Sequence, residues 1–273
     1  MYEKLKSAAN HIESVKKSCP KVGIVLGSGL GSFIDSIEDA VNIPYDEIPF
    51  FHKTSVEGHE GRLILGKING VEVAVLQGRL HAYEGYDMEE VVFPIRTLAT
   101  LGVESLILTN AAGGISDNFK SGDLVIISDH INLMGKNPLV GPNLNELGPR
   151  FPDMTKAYPH ELQDILFESG KQNGVELKRG VYAGVLGPTY ETPAEVRMIK
   201  TLGGDMVGMS TVPESIAANH LGLKVCGVSC ISNMAAGIEN VELKHEDIKE
   251  QALKVMELFT NILKNTIKTL GNK

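Results

Sequence analysis

The chain has 273 residues, 42% of them hydrophobic and 22% charged, and carries a net charge of −8 at pH 7. That length is enough for a large core, and the composition is that of a globular protein, not a fibrous or disordered one. The acidic balance argues against nucleic acid or an acidic membrane surface as partner, and no apolar run approaches bilayer thickness.

In chain order, the opening residues MYEKLKSAAN lack the apolar core of a signal peptide. Val22-Gly23-Ile24-Val25-Leu26 reads as a buried strand, and Gly27-Ser28-Gly29-Leu30-Gly31 follows it. The spacing is Gly-x-Gly-x-Gly; a dinucleotide fingerprint needs a third glycine where Ser32 stands. The segment therefore reads either as a tight strand-to-helix turn or as a loop that presents bare amides to an anion. Strands at 63–68 and 71–76 form a hairpin from Arg62 to Gln77, because Asn69-Gly70 supplies the positive-φ pair of a two-residue turn. A helix at 88–101 and strands at 104–109 and 124–128 come next.

The stretch from Asn132 to Pro159 breaks the pattern, with five prolines, three glycines and no helical period. A loop of that length implies a job, such as covering a site or reaching a neighbouring subunit. Beyond it lie a helix at 160–173, a strand at 180–186, helices at 193–202 and 213–221 opened near Pro193 and Pro213, and a strand at 224–231. Cys226 and Cys230 fall on one face of that strand and read as buried thiols. With Cys19 they make an odd, sparse set that fits a reducing, cytoplasmic setting. Ile248, Ala252, Val255, Phe259, Ile262, Thr266 and Leu270 mark a long amphipathic C-terminal helix. Strands alternating with helices, without a linker, predict one α/β domain over 1–273 built on a mixed, largely parallel sheet surrounded by helices.

Chemistry in an open α/β sheet gathers where strands give way to loops. The strand ends here carry Ser28, then His59 in VEGHEG, then Arg79, His81 and Tyr83 in QGRLHAYEGY. Further along come Ala111 in TNAAGG, Tyr190 and Glu191 in GPTYET, Met209 and Ser210 in GMST, and Asn233 in SNM. Arg79 offers a fork of donors, and the hydroxyls and loop amides complete a set suited to an oxyanion. Each also has a plainer reading: a surface ion pair for Arg79, hydrogen-bonded structural rings for His59 and His81, a helix cap for Ser210. There is no phosphate-loop lysine motif, no His-Glu-x-x-His pair and no Gly-x-Ser-x-Gly elbow, so neither a metal nor a covalent nucleophile is indicated.

The motifs GSGLG, VEGHEG, QGRLHAYEGY, TNAAGG, GPTYETPAE, VGMSTVPE and ISNMAAG, in that order, resemble the trimeric purine nucleoside phosphorylase family, 6-oxopurine type. The resemblance runs from Gly27 to about His245. It implies a homotrimer with a distorted sheet. The implied activity, one of purine salvage, is phosphorolysis of purine ribosides and deoxyribosides to free base and pentose 1-phosphate, with phosphate as co-substrate and no cofactor. It implies that Ser28, His59, Arg79, His81, Ala111 and Ser210 surround phosphate, and that Tyr83, Met209 and His245 line the sugar. Glu191 and Asn233 would bind the purine, with Tyr190 against its ring, and Phe151 would enter the next subunit's site. His81, Asn233 and Glu191 are the implied catalytic groups. Tyr190 in place of phenylalanine, and Met234 in place of lysine, look like bacterial members. Competing readings are a methylthioadenosine phosphorylase, a nucleoside hydrolase, and a nucleotide-binding oxidoreductase or sensor.

Overall fold

The structure is a computed structural model; it describes residues 1–56, 58–238 and 245–271, with side chains of 245–254 left undescribed. Among the described residues, nine strands join one sheet in the order β2-β3-β4-β1-β5-β8-β7-β6-β9, and β5 also pairs with β9. They are β1 (Val22–Leu26), β2 (Glu38–Pro44), β3 (Arg62–Ile68), β4 (Val71–Gln77), β5 (Ser105–Gly114), β6 (Leu124–Asn132), β7 (Lys178–Gly184), β8 (Met206–Gly208) and β9 (Lys224–Met234). The helices are α1 (Tyr2–Val15), α2 (Met88–Val91), α3 (Phe93–Thr100), α4 (His160–Gln172), α5 (Pro193–Thr201), α6 (Val212–His220) and α7 (His245–Gly271).

The sheet is mixed: β1–β4, β1–β5, β5–β9, β6–β7 and β7–β8 are parallel, while β2–β3, β3–β4, β5–β8 and β6–β9 are antiparallel. Five strands, β5, β8, β7, β6 and β9, close on themselves because β9 returns to β5. A register shift at Ala112/Gly113 bends β5 where it meets β8 and β9, and a second at Ile127/Asp129 bends β6.

Side-chain alternation on β1 explains the layering. Val22, Ile24 and Leu26 pack with Phe259, Ile262 and Leu263 of α7 and Leu162 and Leu166 of α4. Val25 packs on the opposite side with Leu5 and Ile12 of α1, Ile95 and Leu98 of α3, and Ile216 and Ala217 of α6. Both faces of the central strands are thus covered, which their continuous apolar runs require.

Several sequence expectations change. The helix expected over 88–101 is two, because Pro94 has no N–H and the chain restarts at Phe93. β2 and β8 escaped notice; β2 is mostly exposed and β8 has three residues. α1 was also missed, although Leu5, Ala8, Ala9 and Ile12 bury one stripe of it. β5 runs five residues past its expected end at 109 (to Gly114) and β9 runs three past 231 (to Met234). The hairpin stands as read, with Asn69 at φ 51° and Gly70 at φ 80°. Cys226 and Cys230 are buried free thiols, pushed up to about 12 by burial. The 132–159 segment is held down by buried Met134, Leu147, Ala157 and Tyr158, while Val140 and Phe151 project from it, 82% and 88% exposed.

Candidate active site

The extensions of β5 and β9 deliver polar residues to one cavity of about 160 Å³, lined by Ser28, Arg79, His81, Tyr83, Asn110, Ala111, Tyr190, Glu191, Met209, Ser210 and Asn233, among others. Ser28 arrives from the loop after β1. That loop lies against β5 so closely that a Cβ on Gly27 would stand 2.6 Å from the Asn110 Cα, and Gly29 takes φ 80°. Gly27 N–H also donates to Thr109 Oγ1 at 3.0 Å, which anchors the loop to the strand.

A chain of hydrogen bonds holds the cavity wall. His59 Nδ1 lies 3.0 Å from Arg79 N and 3.2 Å from Arg79 O, so the Arg79 backbone meets this ring atom with both a donor and an acceptor. Nε2 lies 3.0 Å from Ser28 Oγ, so the ring and the hydroxyl share one hydrogen bond that holds Ser28 at the cavity wall. His59 is neutral at ordinary pH: burial first, then His81 and Arg79, push it down to about 3. His59 does not itself line the cavity; it stands behind Ser28, its ring 5.2 Å from that of His81.

His81 is held in one tautomer. Its Nδ1 donates to Glu84 Oε1 at 3.0 Å, leaving Nε2 as an acceptor. Burial lowers its proton affinity, with Glu84 opposing that shift. Burial would raise the Glu84 carboxyl, but donors from His81 and Ser55 outweigh it and bring it to about 2. Tyr83 stacks on His81 at 4.6 Å.

Arg79 is 5% exposed and almost fully committed. Its Nε donates to Glu214 Oε1 at 3.0 Å and its Nη1 to Thr109 O at 2.8 Å. Nη2 alone has no partner among the described residues. The adjoining wall is Ser210-Thr211: Thr211 takes φ 66° and is gripped by Glu214 Oε2, which accepts from its N–H at 3.1 Å. Asn110 Nδ2 donates to Thr211 Oγ1 at 2.9 Å. Thr211, not Ser210, occupies the cap of α6; Ser210 Oγ lies 3.0 Å from Thr211 Oγ1.

At the other end, Asn233 Oδ1 accepts from Ser232 Oγ at 2.8 Å and Nδ2 donates to Met234 O at 3.0 Å, which fixes the orientation of the amide. Glu191 is raised by burial, and Tyr190 is 47% exposed at the rim. Phe151 does not line this cavity; it borders another with His130 and Ile216. His245 begins α7, and its side chain lies outside those described. Sequence reasoning passed over Asn110, Thr211, Glu84 and Glu214. Thr211-x-x-Glu214 has capping-box spacing, a signal that was available.

The phosphorylase superfamily signature matches residues 21–268. Purine nucleoside phosphorylase 1 of Bacillus subtilis is 51% identical over 264 residues, covering 97% of each chain. The chain belongs to the purine nucleoside phosphorylase family. The mouse enzyme of that name is 43% identical over 97% of this chain and 96% of its own. Among solved structures, a Schistosoma purine nucleoside phosphorylase in complex with inosine superposes with a TM-score of 0.93 at 40% identity, covering 97% of this chain and 96% of the other. Isoform 2 of the Schistosoma mansoni enzyme, in complex with cytosine and ribose-1-phosphate, gives 0.93 at 46% identity over the same shares. No helix among the described residues is long and apolar enough to cross a membrane.

Proposed function

We propose that this chain cleaves the N-glycosidic bond of purine ribosides and deoxyribosides with inorganic phosphate, releasing the base and pentose 1-phosphate. The observation that carries the reading is Arg79, a buried guanidinium whose Nη2 has no partner among the described residues, in the lining of one cavity with Ser28, His81 and Ser210. The members of that wall divide the work of holding a partly protonated phosphate. Arg79 Nη2 and the Ser28 hydroxyl donate to its oxygens, with the Ala111 amide and Ser210 beside them, and His81 Nε2 accepts from its O–H. His59 acts through Ser28.

As the glycosidic bond stretches, positive charge grows on the pentose and negative charge on the departing purine. The held phosphate stabilises the cation and attacks its open face. Asn233 and Glu191 stabilise the base, Asn233 at N7 and Glu191 at the N1 side, so their effect is larger in the transition state than in the ground state. Tyr190 covers the purine, while Tyr83, Met209 and His245 line the pentose. No resident metal or cofactor enters this scheme, phosphate being consumed as co-substrate. The exposed Phe151 on a pinned loop supports a homotrimer in which it closes a neighbour's cavity. Three free thiols support a reducing, cytoplasmic setting.

The test is base release from inosine, guanosine, adenosine and methylthioadenosine with and without phosphate. The expected result is phosphate-dependent turnover of inosine and guanosine, lowered about 10²-fold in kcat by Asn233→Ala. Turnover without phosphate, or turnover of methylthioadenosine alone, overturns the reading.

A further inference from the structure

We propose that Glu214 is a positioning residue that selects which arm of Arg79 faces the bound phosphate and locks the Ser210-Thr211 wall to it. This rests on the phosphate reading of the cavity. The two carboxylate oxygens of Glu214 serve two different walls: Oε1 accepts from Arg79 Nε at 3.0 Å, and Oε2 accepts from Thr211 N–H at 3.1 Å. Both side chains of the Arg79–Glu214 pair are only 4% exposed, so no solvent substitutes for either contact.

A guanidinium can present different edges. Here Glu214 takes Nε and the Thr109 carbonyl takes Nη1, so the planar group has one orientation left, with Nη2 free. The second wall is held at a conformational cost: Thr211 is β-branched and sits at φ 66°, a region such residues avoid. The N–H bond to Glu214 and the side-chain bond from Asn110 over-determine that conformation. Ser210, one residue earlier, inherits its placement. One buried carboxylate therefore couples the arginine after β4 to the serine before α6, two groups 131 positions apart in sequence on adjoining walls of the cavity.

Glutamine at 214 replaces one acceptor by a donor, so it faces either Arg79 Nε or Thr211 N–H with a like group. Aspartate keeps the charge but is one methylene shorter, so it cannot span both partners. Both Glu214→Gln and Glu214→Asp are expected to raise KM for phosphate at least tenfold while KM for inosine stays within twofold. In both variants, added inorganic phosphate should raise the thermal unfolding midpoint less than it does in the wild type. Ser215→Ala, a buried neighbour on α6 that does not line the cavity, should lower the midpoint without moving KM for phosphate. Wild-type protein that phosphate does not stabilise would sink the phosphate reading itself. Wild-type stabilisation with an unchanged phosphate KM in either folded variant, or equal rises in both KM values, overturns the role of Glu214 alone.

Discussion

The side chains that line the cavity are held by hydrogen bonds from the groups behind them. The Arg79 backbone holds the His59 ring, His59 bonds to Ser28, and Glu84 accepts from His81 Nδ1 and so leaves Nε2 of that ring as an acceptor. Glu191 behaves differently, since burial raises its carboxyl from its ordinary value. As the pH falls toward that raised value the carboxylate gains a proton and ceases to accept from a purine N1–H. KM for inosine should therefore climb as the pH is lowered from 8 to 5, and Glu191→Gln should flatten the climb. A climb that Glu191→Gln leaves unchanged would remove Glu191 from the base contact. The motifs exposed Glu191, Asn233 and Arg79 because each stands next to a strand end. Glu214 was hidden because its partner Arg79 is 135 residues away, and a buried ion pair leaves no local pattern.

Among the elements, β5 does the most to build the site. It pairs with β1, β8 and β9, and its last residues carry Asn110 and Ala111 to the cavity. The β1 loop can lie on it only because residue 27 has no side chain. Gly27→Ala would bring a methyl against backbone atoms of Thr109 and Asn110, so the loop must lift. The expected outcome is a lower unfolding midpoint together with weaker phosphate binding, read by thermal unfolding with and without phosphate. A variant with wild-type phosphate stabilisation would show that the loop position is unimportant.

The legibility of these elements follows their local chemistry. Asn69-Gly70 announced its turn, and the α7 stripe announced its helix, because both rest on near-neighbour geometry. β2 did not, since an exposed edge strand rich in charge lacks the alternation of a half-buried one. The pairing of β9 with β5 is set by tertiary packing and has no signature in either segment.

For the molecule as a whole, buried and half-buried histidines tie stability to pH. His59, His81, His130 and His220 are all lowered, each chiefly by burial. In the unfolded chain they take up protons near the ordinary value of about 6.5. Below that pH the unfolded state binds more protons than the folded state, so stability present above about 6.5 is lost as the pH falls, for His59 down to about 3. Denaturant midpoints should be lower at pH 5 than at pH 7.5, and His130→Gln should narrow the gap. A midpoint that does not fall on acidification would contradict this account.

The closed run of β5, β8, β7, β6 and β9 has a further consequence. A sheet with free ends can fray from its margin while its middle persists, and the β2 margin of this one can do so. The five strands that carry the Ala111, Ser210 and Asn233 segments have no such margin, because each is laddered on both sides. Fraying from the β2 margin therefore reaches the Ser28, Arg79 and His81 wall, which follows β1 and β4, before it reaches the Ala111, Ser210 and Asn233 wall. Heat should abolish turnover no later than it melts the five-strand run, and turnover that outlasts the unfolding of that run would contradict this account.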